Sequence, residues 1–214
     1  MPTQTPAPPS AGVIQRALGE FQLTASDEQV LQIQRYIEIL LLWNEKINLT
    51  AIRDPLEILD RHFSESMYAS LAVPVENGRL ADVGSGGGFP GLPLKIIRPD
   101  LRVFLVESNL KKVTFLAEVV RELGLRDVQV LMRRYEELGE EMAPLDYVCS
   151  RALGEFPAFL EWVGSQQIAA KEVILWVGAR DLPELQKIQT WEWREPIQVP
   201  NSLRRLLLVG KKRP

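Results

Sequence analysis

The residues best suited to chemistry lie in one stretch, Asp82-Val83-Gly84-Ser85-Gly86-Gly87-Gly88-Phe89-Pro90-Gly91, which follows a strand-forming run and opens toward a helix. Closely spaced glycines let the backbone turn sharply and let a ligand lie directly on the main chain, where a Cβ would collide. Two acids bracket the loop. Asp82 precedes its first glycine, and Glu107 ends the next strand-like run about 20 residues on, where a carboxylate accepts hydrogen bonds from both ribose hydroxyls. A nicotinamide dinucleotide is one cofactor such a loop takes. Here, however, the third glycine position of G-x-G-x-x-G is Phe89, and Asp82 would repel a pyrophosphate. A cofactor with an α-amino group and a sulfonium but no phosphate suits these acids. S-adenosyl-L-methionine has that structure, and it leaves as S-adenosyl-L-homocysteine after methyl donation.

Ligands of open α/β sheets lie beyond the carboxyl ends of the strands, which nominates further residues. Ser108 and Asn109 follow Glu107. Arg134, Tyr135 and Glu136 follow the third strand-like run and frame the adenine. Ser150 and Arg151 follow the fourth and face the approach to the methyl group. Asp82, Gly84, Gly86 and Glu107 complete the set read from the loop and its acids.

These groups need elements to hold them. Residues 1–12, with four prolines among polar residues, are expected to be a disordered tail. Residues 13–77 read as a helical extension. Ser26 and Gln29 form a capping box before Val30, Ile33, Ile37, Leu40 and Leu41. Asp54 is a helix cap with Pro55 at the first helical position, Glu57 reaching back, and Leu56, Leu59, Phe63 and Met67 on the buried face. Residues 78–214 read as the cofactor-binding domain. Its apolar runs are Leu80 to Val83, Val103 to Glu107, Val128 to Met132, Leu145 to Ser150 and Val173 to Val177, with a helix from Leu110 to Leu123 stopped by Gly124. Trp191 to Val199 and Arg204 to Val209 follow without an intervening helix, so an antiparallel hairpin closes an otherwise parallel sheet.

Composition sets the outer bounds. With 214 residues, 46% of them hydrophobic, the chain can bury one substantial core. A single cysteine forms no internal disulfide, and no signal-like leader is present, so a cytoplasmic location is expected. The most apolar run, Ile37 to Trp43, is far shorter than the roughly 20 residues that cross a bilayer, so no membrane partner is expected. No metal is assigned. A net charge of −3 runs against a nucleic-acid partner, although Lys111-Lys112, Arg133-Arg134, Arg204-Arg205 and Lys211-Lys212-Arg213 form local cationic clusters.

Taken in order, Asn48-Leu49-Thr50-Ala51-Ile52-Arg53-Asp54-Pro55, Arg61-His62-Phe63, Asp82 to Gly91, and Cys149-Ser150-Arg151-Ala152 resemble the small-subunit ribosomal RNA methyltransferase G family, also called glucose-inhibited division protein B. The resemblance runs from about Leu41 to Lys212. It implies an α/β fold of the Rossmann-like class I methyltransferase type, with an N-terminal helical extension, acting on N7 of one guanine in small-subunit ribosomal RNA or the assembled small subunit. It also implies cofactor contacts at Gly84 and Phe89, at Glu107 to Asn109, at Tyr135 and Glu136, and at Arg151. Two positions depart from the family. Val177-Gly178 stands where Lys-Gly is common, removing a cation, and Arg204-Arg205 stands where Arg-His is common, keeping positive charge.

Guanine N7 carries a free lone pair, so methyl transfer to it requires no general base and no catalytic residue is assigned. Alignment carries the rate. Asn48, Arg53, His62, Arg204 and Arg205 are the substrate candidates. Asn48 and Arg53 otherwise brace the turn between helices, and His62 otherwise packs. Cys149 raises the alternative of a thiolate attacking a pyrimidine, against a small buried hydrophobe. Trp191 and Trp193 either stack on bases or pack in the core. The competing functions are a methyltransferase of a protein or small molecule, a non-catalytic S-adenosylmethionine-binding module, and a nicotinamide-dependent dehydrogenase.

Overall fold

The computed structural model of the chain describes residues 6–213 except 74, 76, 140, 141, 143, 152–155, 166, 167 and 169. The first five residues of the expected tail and Ala152 of the S-R-A word therefore lie outside the described residues. Residues 11 and 12, expected in the tail, are helical: α1 runs Ala11–Glu20. Pro9 before it is buried, and its carbonyl accepts from Gln34 Nε2 at 2.8 Å.

Helix α2 (Asp27–Asn44) starts at the expected capping box, with Ser26 and Gln29 satisfying each other's backbone N–H. Asp54 caps α3 (Pro55–Ile58), its Oδ1 accepting from Glu57 N at 2.8 Å, while the Glu57 carboxylate turns to Arg61 instead of reaching back. The helix then widens into a π segment, Leu59–Ser64, before returning to α4 (Glu65–Ala72). Each π turn carries an extra residue, so the apolar face shifts phase. Leu56, expected on the buried face, is 55% exposed, whereas Leu59, Phe63 and Met67 are buried.

The sheet begins with β1 (Arg79–Val83) and continues through α5 (Gly91–Ile97), β2 (Arg102–Glu107), α6 (Leu110–Glu122), β3 (Val128–Met132), β4 (Tyr147–Ser150), α7 (Phe156–Gly164), β5 (Glu172–Gly178), the short α8 (Leu182–Leu185), β6 (Trp191–Trp193), β7 (Ile197–Gln198) and β8 (Arg205–Lys212). The spatial order is β3-β2-β1-β4-β5-β8-β6, with β7 also on β8. The strands from β3 to β5 are parallel, and β8 runs antiparallel to β5, β6 and β7. The expected closing hairpin is present, but its first arm is split. Pro196 has no N–H to donate, so Trp191–Trp193 pairs with the far end of β8 and Ile197–Gln198 with its near end.

Strand side chains alternate between two buried layers. Leu80, Val103 and Leu105 point into a core shared with α1, α2, the π segment, α5 and α6. Ala81, Val83, Phe104 and Val106 point into a second core with α7 and Trp191. The helical extension thus packs into the same core as one face of the sheet. No helix of the described residues is long and apolar enough to cross a membrane.

Candidate functional site

The glycine loop sits at the carboxyl end of β1, where the sheet order reverses between β1 and β4. Gly84, Gly86 and Gly88 all have positive φ, of 73°, 55° and 84°. Gly84 N and Ser85 N are tied to Val106 O, and the loop closes back with Gly88 N and Phe89 N on Ser85 O. Beneath it, Asp82 is fully buried, and Oδ2 accepts from Gly91 N at 3.0 Å. A Cβ on Gly91 would stand 2.7 Å from that oxygen. Burial pushes the Asp82 carboxyl up to about 7, with the Gly91 and Ser85 hydrogen bonds opposing the rise. Asp82, expected among the cofactor contacts, therefore braces the loop from inside.

Glu107 is the second acid. Oε2 accepts from Gly86 N at 3.0 Å and Oε1 from Asn109 N at 2.8 Å, so the carboxylate links the glycine loop to the turn after β2. Asn109 in turn caps α6 through Lys111 N and Lys112 N. Beside these groups lies a cavity of about 240 Å³, lined by Gly84, Glu107, Ser108, Arg134, Tyr135 and Glu136 among others. Gly84, Glu107, Ser108, Arg134, Tyr135 and Glu136, all expected, line this one cavity, and the expected Gly86 and Asn109 join it through Glu107.

The loop's other side rests on the helical extension, which sequence reasoning missed. Tyr36 of α2 is fully buried and donates its hydroxyl to Gly87 O at 2.5 Å. Its ring stacks on Phe89 at 5.5 Å, and His62 stacks on the other flank of Phe89 at 4.6 Å. The His62 Nε2 pairs with Thr50 Oγ1 at 2.7 Å. Burial, with Arg151 and Arg61 nearby, lowers His62 to about 3, so the ring is neutral at physiological pH. The turn before it is held by Asn44, which accepts from Leu49 N and Thr50 N and donates to Thr50 O. Asn48 and Arg53 are exposed. The bracing role expected for Asn48 belongs to Asn44.

A second group gathers from three elements at the ends of β4 and β5. Glu65 of α4 is 1% exposed, and its carboxylate forms an ion pair with Arg205 on one oxygen and faces Arg151 at 3.9 Å on the other. Arg151 Nη1 also meets Ser66 Oγ at 3.4 Å, and Trp176 Nε1 donates to Glu65 O at 3.1 Å. Burial lowers the Arg151 guanidinium to about 10, against the pull of Glu65. Arg151 and Arg205 line a cavity of about 260 Å³ with Trp176 and Asp181, distinct from the one beside Glu107. Arg151, expected at the cofactor, thus faces the neighbouring space, and Arg204 is exposed at a third cavity next to that one.

Cys149 is fully buried, and burial raises its thiol well above the usual value, which removes the thiolate alternative. Trp191 is likewise fully buried, its indole facing Leu160 O, so it packs against α7 and does not stack on bases. Val177 is 3% exposed. Among the described residues, no group of three or more His, Cys, Asp or Glu side chains could hold a metal ion.

The model of the family described as rRNA small subunit methyltransferase G matches residues 29–198. The ribosomal RNA small subunit methyltransferase G of Lactococcus lactis subsp. cremoris (strain SK11) is 40% identical over 151 residues, covering 68% of this chain and 63% of the relative. The protein of the same name from Chromobacterium violaceum is 43% identical over 149 residues, covering 69% and 70%. The chain therefore spans less than two thirds of the Lactococcus relative it matches. Among solved structures, a SAM-dependent methyltransferase from Aquifex aeolicus superposes with a TM-score of 0.57 at 17% identity, covering 75% of this chain and 94% of that one. M. capricolum TrmK in complex with S-adenosyl-homocysteine superposes at 0.53 and 16% identity, covering 67% and 66%. These likenesses show the class I methyltransferase fold. With the glycine loop, the acid after β2 and the N-L-T and S-R words all falling within or beside the matched stretch, the chain belongs to the rRNA small subunit methyltransferase G family.

Proposed function

We propose that this protein transfers a methyl group from S-adenosyl-L-methionine to N7 of a single guanine in small-subunit (16S) ribosomal RNA. The observation that carries the reading is the glycine cradle tied to Glu107 beside a cavity of about 240 Å³, in a chain of this family. The residues there fit the cofactor. Gly84 and Gly86 leave the main chain bare, and Glu107 keeps lone pairs beyond its two backbone bonds for ribose hydroxyls. Ser108, Asn109, Tyr135 and Glu136 would border the adenosine, and Phe89, pinned between Tyr36 and His62, would fix the loop against the amino-acid end. Asp82 would act through the loop it braces.

When bound, S-adenosyl-L-methionine supplies an electrophilic methyl on a sulfonium. The protein's part is to hold the guanine so that its N7 lone pair points along the reacting axis and to keep water from the approach. No proton leaves N7, so the neutral His62 and the inert Cys149 accord with a site that has no general base. The substrate, free RNA or assembled subunit, would dock through local cations such as Arg180 and Arg204, despite the net charge of −3. A cytoplasmic location follows from that substrate.

The test is incubation of the purified protein with methyl-labelled S-adenosyl-L-methionine and small ribosomal subunits from a strain lacking the modification, followed by mass spectrometry of the nucleosides. Label on N7 of one guanine, absent with Glu107→Ala, supports the reading. Tight cofactor binding with no label in RNA overturns it and favours a protein or small-molecule acceptor.

A further inference from the structure

The cavity of about 260 Å³ at the ends of β4 and β5 has room for one heterocyclic base. It lies on the same sheet edge as the cofactor cavity. Strand β4 neighbours β1, Ser150 Oγ is bonded to Val83 O at 2.9 Å, and Arg151 is the next residue. A methyl acceptor has to arrive beside the cofactor, and the ends of β4 and β5 lie next to β1 on the carboxyl side of the sheet.

We infer that this cavity receives the flipped-out guanine and that Asp181 is the residue that selects it, accepting hydrogen bonds from N1–H and the 2-amino group. The inference rests on the guanine reading above and adds the residues that choose the base.

The order of chemical groups along the sheet edge carries it. Guanine presents two acceptors in sequence, N7 and O6, and beyond O6 two donors, N1–H and the 2-amino group. With N7 turned to the cofactor side, the protein's groups run in the complementary order. Arg151, directly after β4, offers donors and no acceptor, which suits O6. Asp181, three residues after Gly178 at the end of β5, offers acceptors and no donor, which suits the N1 and N2 edge. Adenine would present an amino group to Arg151 and a bare N1 to Asp181, so both contacts would become repulsive.

Both groups are aimed. Glu65, buried between Arg151 and Arg205, holds the guanidinium side, and Asp181 Oδ2 accepts from Gly178 N at 3.0 Å, which turns the carboxylate back over the strand end. Phe156 and Trp176 supply an apolar wall against which a base can lie. The adjoining cavity of about 450 Å³ shares Gly178 and Asp181 and carries Arg180, Arg204 and the 98% exposed Leu203, so the flanking nucleotides have cations beside them.

The experiment compares wild type with Asp181→Asn on small subunits reconstituted with guanosine or inosine at the position that wild type labels. Inosine keeps N7, O6 and N1–H and lacks the 2-amino group. Asparagine retains an acceptor for Gly178 N but replaces half of the carboxylate with a donor. Expected is a loss in kcat/KM of about 10- to 100-fold for Asp181→Asn on guanosine and a similar loss for wild type on inosine. The two losses should not multiply: Asp181→Asn on inosine should fall within about threefold of Asp181→Asn on guanosine. Cofactor affinity should stay within about twofold of wild type, which verifies the fold of the variant. Asp181→Ser, which also keeps a short acceptor, should behave alike. Independent, multiplying losses, or a full rate for both variants on guanosine, overturn the assignment of Asp181 while leaving the methyltransferase reading intact. Absence of label in any RNA with wild type overturns that reading and the pocket together.

Discussion

Replacing Gly88 with alanine tests whether the helical extension forms the floor of the cofactor loop. The new Cβ would collide with the Tyr36 hydroxyl and stand 2.7 Å from Leu92 Cδ1. The residue also sits at φ +84°, where an L side chain costs about 1–2 kcal/mol. Overpacking adds about 1–3 kcal/mol, so the variant should lose roughly 2–5 kcal/mol, a large part of a stability of about 5–15 kcal/mol. Tyr36→Phe alone removes the hydrogen bond to the buried Gly87 O and should cost about 1–3 kcal/mol. It also removes the atom that the new Cβ meets, whereas the backbone strain and the Leu92 contact remain. The double variant should therefore be more stable than the sum of the single losses predicts, by at least about 0.5 kcal/mol. Urea unfolding followed by tryptophan fluorescence measures all three. A Gly88→Ala loss below about 1 kcal/mol, or strict additivity, would refute the packing of the loop on Tyr36.

Glu107→Gln places an amide donor against either Gly86 N–H or Asn109 N–H and should weaken S-adenosyl-L-methionine binding about 10- to 100-fold by calorimetry; an unchanged Kd refutes the ribose role. Glu65→Gln strips the carboxylate from two inward-facing arginines and should destabilise the fold by about 3–5 kcal/mol, with an unaltered melting temperature counting against it. The pH dependence has two opposing parts. His62, lowered in the fold to about 3, lends stability that is complete above its unfolded value of 6.5 and is lost as pH falls toward 3. Asp82, raised to about 7, lends stability below 3.8 that is lost as pH rises through 7. His62→Gln should accordingly gain stability relative to wild type on acidification from 6.5 to 4, by up to about 1.4 kcal/mol per pH unit; parallel profiles would show that the histidine is not buried neutral. Cys149 should react with a thiol reagent only in denaturant, and fast labelling of the native protein would contradict its burial.

The central strands were legible because a parallel strand buried on both faces reads as a continuous apolar run. At the sheet edge, the part-exposed Val128–Met132 also matches its expected span, while the run expected from Leu145 gives a strand over Tyr147–Ser150, with Asp146 already bonded through its backbone to Arg79 O and Glu172 N. The loop and Glu107 were legible since glycine spacing and a strand-end acid are local features. The rest needed three dimensions. Nothing in the order of residues distinguishes Asn44, which ties down the turn, from Asn48, which is exposed in it. Tyr36 reads as one more large residue on an amphipathic helix, yet its hydroxyl meets a carbonyl 51 positions away. The Arg151, Glu65 and Arg205 group draws on a strand end, a helix and the last strand, and each member alone looks like an ordinary charged residue. Asp82 is read in the sequence for its charge, and its contact in the fold is with the backbone of its own loop.

The π segment from Leu59 to Ser64 makes the length of this chain as informative as its composition. Deleting one residue there would restore an ordinary α-helical hydrogen-bond ladder, and because the widened turn already absorbs one extra residue, α4 would keep close to its present phase. Glu65 would still meet Arg151 and Arg205, and Ser66 would still meet Arg151. A substitution scan across these six positions would miss this, because it changes side chains and keeps the count. The widened turn is one residue of slack, so a single-residue deletion should be far less damaging here than in the uninterrupted helix α2, where it would turn everything after it by about 100°.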